Sequence, residues 1–175
     1  DECYIGKVGA IEGHAGKFIF GEWQGVLVVI SSGRVHFNQT HDDRSLLRSW
    51  MGTLLACMGG EQRLIVTQAV GGLTPELPVG TLAIPTTTFV GNLIPTYMHP
   101  GEFLTPGAEL PKEGSPYIQA VMTAADKAGL QCKPDAAYYP VCGPIFGDKG
   151  DRRVMKMLGF DTVGMSLIPE LALVV

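Results

Sequence analysis

The sequence predicts an α/β fold, a sheet of mostly apolar strands with helices on both faces. Three observations carry that expectation. Short runs of β-branched and aromatic residues alternate with segments whose apolar residues recur every three or four positions. Glycine and proline, 23 and 12 of the 175 residues, punctuate these runs along the whole chain and do not fill one low-complexity tract. Hydrophobic residues make up 46% and charged residues 17%, where about 25% charged is usual. That supply of apolar side chains suits one sizeable core, so a single domain is expected over residues 1–175.

The elements follow in order. Phe18-Ile19-Phe20 and Gly25 to Ser31 read as paired strands joined at Glu22-Trp23-Gln24, and the apolar run Val26 to Ile30 marks the second as a core strand. Asp42 or Asp43 can cap a helix whose apolar residues Leu46, Leu47, Trp50, Met51, Leu54, Leu55 and Met58 share one face, with Gly59-Gly60 ending it. "RLIVT", residues 63–67, reads as a short buried strand. Thr81 to Ile84 and Thr86 to Val90 are β-rich, with Pro85 interrupting them. Residues 91–115 form a long irregular loop rich in Pro and Gly, of a kind that usually serves function. Tyr117 to Ala128 is helical and closed by Gly129, Ala137 to Cys142 is a strand, and Asp148 to Leu158 is a helix closed by Gly159. Asp161 to Gly164 is the last strand, after which Pro169 sits in the first turn of a helix. No internal repeat is visible.

Composition excludes several classes. A net charge of -4 and a pI near 5.5 argue against a general nucleic-acid binder, which needs a basic stripe. No apolar run approaches the ~20 residues of a membrane span. The acidic start Asp1-Glu2-Cys3 does not read as a secretory signal. Cys3, Cys57, Cys132 and Cys142 form no CxxC pair, so neither a zinc nor a disulfide framework is expected, and a cytoplasmic location is. His36, His41, Asp42 and Asp43 in "HFNQTHDD" do not have metal-ligand spacing either, so no metal is expected.

Ligands of open α/β sheets bind beyond the carboxyl ends of strands. Four stretches occupy such ends: "SSGRVH" (31–36), "TQAVGG" (67–72), "CGPIFGD" (142–148) and "GMSLIPE" (164–170). They present Arg34 and His36, paired glycines, Phe146 on a turn, and Ser166 just before a helix start; His14 stands in a further turn, "EGHAGK". Each has a plainer reading taken alone. Arg34 and His36 fit a solvated turn, Ser166 a helix cap, and Phe146 ordinary packing. Gly71-Gly72 falls short of a dinucleotide fingerprint.

Their joint order carries more weight. "GHAGKFIFGEWQG" (13–25), "SGRVHF" (32–37), "QAVGGLTPELPVG" (68–80) and "CGPIFGDKGDRRVMKMLGFDTVGMSLIPELALV" (142–174) together resemble the purine nucleoside phosphorylase family, in its trimeric branch. The resemblance implies a three-layer α/β/α domain with a central mixed sheet, a small-molecule ligand, a homotrimer, and no cofactor beyond phosphate as co-substrate. It puts His14, Arg34 and His36 at phosphate or sugar, Ser166 at phosphate, Ala69 and Gly71 on the nucleoside cleft, Phe146 on the base, and Met165 beneath the sugar. Arg34 would then supply a fixed fork for an oxyanion.

Departures from the family pattern shape the functional expectation. Gly147 stands where the family grips the purine with a carboxylate, with Asp148 one place along. Asn38 and Gln39 replace a tyrosine and a glutamate, and the family's glycine-rich phosphate loop and last strand and helix have no counterpart. The expectation is a repurposed enzyme acting on a flat heterocyclic or aromatic metabolite, with phosphorolysis weak or lost. His14, His36 and Asp148 are its candidate catalytic groups and Arg34, His36 and Ser166 its anion site, with Ala69, Gly71, Phe146, Gly147 and Met165 lining the ligand. The alternatives are a genuine purine nucleoside phosphorylase and a noncatalytic ligand-binding or assembly subunit.

Overall fold

A computed structural model of the chain describes residues 2–4, 15–39, 49–50, 52–54, 56, 63–89 and 110–173. β2 (Lys17–Trp23) and β3 (Val26–Ser32) form an antiparallel hairpin from Trp23↔Val26 to Lys17↔Ser32. Gln24 and Gly25 turn it with φ of 52° and 80°. Two left-handed residues match the twist of the flanking strands, which is why the turn falls here and not at the expected Glu22-Trp23-Gln24. β1 (Glu2–Tyr4) pairs antiparallel with the other side of β2.

The second sheet has the order β4-β7-β6-β5, built from β4 (Gly71–Gly72), β5 (Leu82–Thr88), β6 (Cys132–Pro140) and β7 (Thr162–Gly164). β5, β6 and β7 are parallel and β4 is antiparallel, so the sheet is mixed. Pro85 does not divide β5 in two. Register shifts on either side of it absorb the missing N–H donor. β6 begins five positions before the expected Ala137, in the polar stretch Cys132 to Asp135, whose pairing to β5 overrides its weak strand character.

The helices follow their sequence signals. Ser115 caps α1 (Pro116–Lys127) by accepting from the Ile118 N–H at 3.4 Å, and Gly129 leaves it with φ 68°. α2 (Lys149–Met157) and the short α3 (Ile168–Leu173) follow β6 and β7. Residues 49, 50, 52–54 and 56 are helical, as expected. Asp42, Asp43 and the loop over 90–109 lie outside the described residues.

Tyr138 and Tyr139 are neighbours on β6, so they enter opposite faces of the sheet. Tyr138 joins Phe18, Val35, Trp50, Leu54, Leu167 and Ile168, a core that bonds the first sheet to the second. Tyr139 borders Leu73, Val163 and Met155 of α2. Its ring stacks on Phe89 at 5.4 Å and meets Phe160 edge-on at 4.9 Å. Helices therefore cover both faces, giving three layers.

Two expectations fail at sheet edges. Val26, Leu27 and Ile30 are exposed, because β3 is the last strand of its sheet and no described element covers its outer residues. Residues 63–70 form no strand, and Ile65 is 86% exposed. A β-branched run becomes a strand only where an edge accepts it, and no described residue pairs with this one.

Candidate functional site

The carboxyl ends of β3, β6 and β7 converge. At the exit of β3, Gly33 has φ 94° and its carbonyl accepts from the Ser31 hydroxyl at 2.7 Å. Val35, 1% exposed, anchors the chain in the core just beyond. Between them Arg34 reaches across the sheets. Its Nη1 donates to Glu170 Oε1 at 2.7 Å, and its Nη2 donates to the Thr67 carbonyl.

Glu170 is 3% exposed. Burial pushes its carboxyl above the usual range, against the pull of Arg34 and of the backbone N–H groups of Glu170 and Leu167. Its Oε2 has no hydrogen-bond partner among the described residues. Charge pairing with Arg34 is what makes the buried carboxylate tolerable.

Tyr138 organises the next part. Its hydroxyl donates to the Ser166 carbonyl at 2.6 Å, accepts from the Ser166 N–H at 3.2 Å, and lies 3.2 Å from Gln68 Oε1. Burial raises the phenol far above its ordinary pKa, and the charges of Glu170 and Arg34 are both felt there. Arg34 and Ser166 are thus held in one locus through Glu170 and Tyr138. Gly164 makes this packing possible, since a Cβ there would lie 2.8 Å from the Tyr138 hydroxyl and 2.9 Å from Gln68 Oε1.

The segment after Val35 joins the same locus. A Cβ on Gly143 would sit 2.7 Å from Met165 Sδ and 3.3 Å from Asn38 Cγ, so Asn38, Gly143 and Met165 meet. Gln39 Oε1 accepts from the His36 backbone N–H at 2.8 Å and lies 2.8 Å from His36 Nδ1. The backbone donor fixes that atom as oxygen, so Nδ1 carries the proton. Asn38 Oδ1 is a second buried oxygen with no hydrogen-bond partner among the described residues. Buried orphans such as these call for a ligand or water.

The turn after β6 is built differently. Phe146 lies on the turn after Gly143 and is 44% exposed. Gly147 has φ 90°, and a Cβ there would lie 2.8 Å from Asp151 Cβ. Asp148, expected as a catalytic group, is engaged through Oδ1 at the start of α2. It is the N-cap of α2, accepting from the N–H groups of Gly150 at 2.7 Å and Asp151 at 3.0 Å, while Asp151 Oδ2 accepts from the Asp148 N–H at 2.9 Å. This capping box holds the Asp148 carboxyl below its ordinary value, through the Asp151 and then the Gly150 N–H. Gly71 packs within β4 against Val163, and Ala69 is exposed in the segment before it. His14 lies outside the described residues.

Sequence reasoning missed Glu170, Tyr138, Gln68 and Thr67. A signal existed for the first: Glu170 is the only charged residue in "GMSLIPELALVV" (164–175). An open cavity of about 420 Å³ lined by Glu113, Gly114, Ile118, Gln119, Met122, Pro134 and Asp135 lies at the amino end of β6, away from this locus. Among the described residues no three His, Cys, Asp or Glu side chains could share a metal. No described helix is long and apolar enough to cross a membrane.

Comparisons with known proteins place the chain in a family. The model of the phosphorylase superfamily matches residues 4–173. The chain is 30% identical over 168 residues to purine nucleoside phosphorylase 1 of Bacillus subtilis, covering 93% of this chain and 60% of that protein. With the purine nucleoside phosphorylase of Mus musculus it shares 31% over 170 residues, covering 91% and 57%. The crystal structure of Schistosoma mansoni purine nucleoside phosphorylase, complexed with a novel monocyclic inhibitor, superposes with a TM-score of 0.67 at 23% identity, over 90% of this chain and 60% of that one. The chain therefore spans about 60% of the length of these relatives. By the superfamily match across nearly all its residues, and by its fold, the chain belongs to the phosphorylase superfamily as a relative of the purine nucleoside phosphorylases.

Proposed function

We propose that this chain belongs to a purine nucleoside phosphorylase-type enzyme, which cleaves the N-glycosidic bond of a purine nucleoside with phosphate as co-substrate. The observation that carries the reading is the convergence of Arg34 and Ser166 through the Glu170 and Tyr138 contacts. In this reading Arg34 and the Ser166 hydroxyl bind phosphate, and His36, held by Gln39, completes the anion site. A phosphate oxygen forms a bond to the anomeric carbon as the carbon–nitrogen bond breaks. The bonding electrons leave with the purine, which takes up a proton, and the sugar departs as its 1-phosphate. Such a site works by positioning and charge, so neither a protein nucleophile nor an organic cofactor is required.

A second reading keeps the cleft but weakens phosphorolysis, in favour of another flat heterocyclic or aromatic substrate. It is favoured by one observation: Gly147 carries no carboxylate and Asp148 is engaged as a helix cap. A homotrimer in the cytoplasm is part of both readings.

The test is release of free base from inosine, guanosine and adenosine, with and without inorganic phosphate. Phosphate-dependent turnover of roughly 1 per second or faster supports the first reading, and the Arg34→Ala variant should then lose about a hundredfold in kcat/KM or more. Turnover several orders of magnitude slower supports the second. No phosphate-dependent release at all would overturn the first. Light scattering on the same preparation should give three times the 18.7 kDa chain mass, and a monomeric mass would remove the trimer.

A further inference from the structure

We propose that Glu170 is a positioning residue for Arg34, its buried carboxylate setting the guanidinium beside Ser166 in the orientation that receives a phosphate oxygen. The inference rests on reading this locus as the phosphate site.

Geometry makes the clamp specific. Arg34 is anchored at two nitrogens from two separate segments, at Nη1 by Glu170 and at Nη2 by the Thr67 carbonyl. A planar fork held at two points has its plane and its tilt determined. The Arg34 side chain is 15% exposed and that of Glu170 is 4% exposed, so the pair is largely withdrawn from water. Glu170 itself has little freedom, because it lies in the first turn of α3 and is 3% exposed. Ser166 and Glu170 are four residues apart on one segment. That segment therefore carries both the hydroxyl offered to the anion and the carboxylate that aims the cation.

Charge alone gives this residue no reason to be here. A carboxylate beside an anion site repels the anion, and burying it is costly. Three accounts of Glu170 make three different predictions. If only its charge mattered, Glu170→Ala and Glu170→Gln would both tighten phosphate. If it only latched α3 to the exit of β3, both would lower stability and leave phosphate affinity alone. If it positions Arg34, Glu170→Ala weakens phosphate, whereas Glu170→Gln, whose amide oxygen still accepts from Nη1, retains it.

The experiment is calorimetric titration of the whole chain with inorganic phosphate at fixed ionic strength, together with separate KM values for phosphate and inosine. Glu170→Ala should weaken phosphate binding about tenfold or more, and Glu170→Gln should stay within about threefold of wild type. The inosine KM should move less than about threefold in both, since ground-state binding of the nucleoside does not use the clamp. Glu170→Asp keeps the charge but shortens the reach, so it should weaken phosphate as well and serves if the alanine variant fails to fold. Wild type that binds phosphate while Glu170→Ala or Glu170→Asp binds it equally well or better would overturn the positioning role and leave the functional reading standing. Wild type that neither binds phosphate nor releases base would overturn both.

Discussion

Replacing Tyr138 by phenylalanine removes one oxygen from the most constrained point of the site. Tyr138 is 1% exposed and Ser166 is 5% exposed, so water does not readily take the place of the lost hydroxyl. The Ser166 carbonyl loses the donor at 2.6 Å, and the Ser166 N–H loses the acceptor at 3.2 Å. A buried polar group left unsatisfied costs about 1–3 kcal/mol. The ring stays, so no cavity term is added. Tyr138→Phe should therefore lose about 2–6 kcal/mol of stability, read from urea unfolding with the m-value checked for constancy. Tyr139→Phe is the control, because it makes the same chemical change on the other face of β6, where Tyr139 contributes ring contacts. It should stay within about 0.5 kcal/mol of wild type. The pH dependence has a sign. Burial raises the folded-state pKa of Tyr138 above its unfolded value, so its contribution is complete below the unfolded pKa of about 10 and declines as pH rises beyond it. The gap between wild type and Tyr138→Phe should narrow in that alkaline window. A Tyr138→Phe variant as stable as Tyr139→Phe, with phosphate affinity unchanged, would refute the claim that this hydroxyl holds Ser166.

Two further predictions concern neighbouring features. Gly164→Ala should destabilise by about 1–3 kcal/mol in the same urea assay, as overpacking does, because its Cβ would fall 2.8 Å from the Tyr138 hydroxyl; a neutral result would mean that the β6–β7 ends can spread. Asp148→Ala should lower the melting temperature at pH 7 through loss of the α2 cap. The folded-state pKa of Asp148 is depressed, so the cap's contribution is present above the ordinary carboxylate range and is lost as pH falls through the folded-state value. The difference in melting temperature should shrink in acid, and one that persists unchanged at pH 2 would assign the effect to something other than the carboxylate.

How much of this was legible depends on whether the signal was local. Helix C-termini were, because a stop signal works within a few residues: Gly129 and Gly159 close α1 and α2 with positive φ, as read. Strand pairing was not. Val26 to Ile30 and residues 63–67 have the same β-branched character, yet one forms an edge strand and the other no strand at all. Apolar sequence states that a segment can pair, and the partner decides whether it does. Among the site residues, Arg34 and Ser166 stood out by their position at strand exits, while Glu170 looked like an ordinary acid in a helix's first turn. Its role depends on an arginine 136 positions away.

The same contrast separates the two halves of the site and locates the functional question. In the proposed reading the phosphate half is made by long-range contacts, Arg34 to Glu170 and Tyr138 to Ser166, each mostly buried. Such contacts are hard to keep once the surrounding packing drifts. The half that this reading assigns to the base is made locally, by the turn from Gly143 to Asp148 and the capping box that follows it. That turn leaves little room for a ligand-facing carboxylate at 147. At position 147 the backbone is left-handed and a Cβ would press on Asp151, and at position 148 the carboxylate is already bonded to two backbone N–H groups. An acidic side chain at 147 would therefore press on Asp151 and disturb the cap of α2. In the proposed reading, a carboxylate for the base would have to be built in the turn over residues 143 to 148, and position 147 has no room for one unless Asp151 moves.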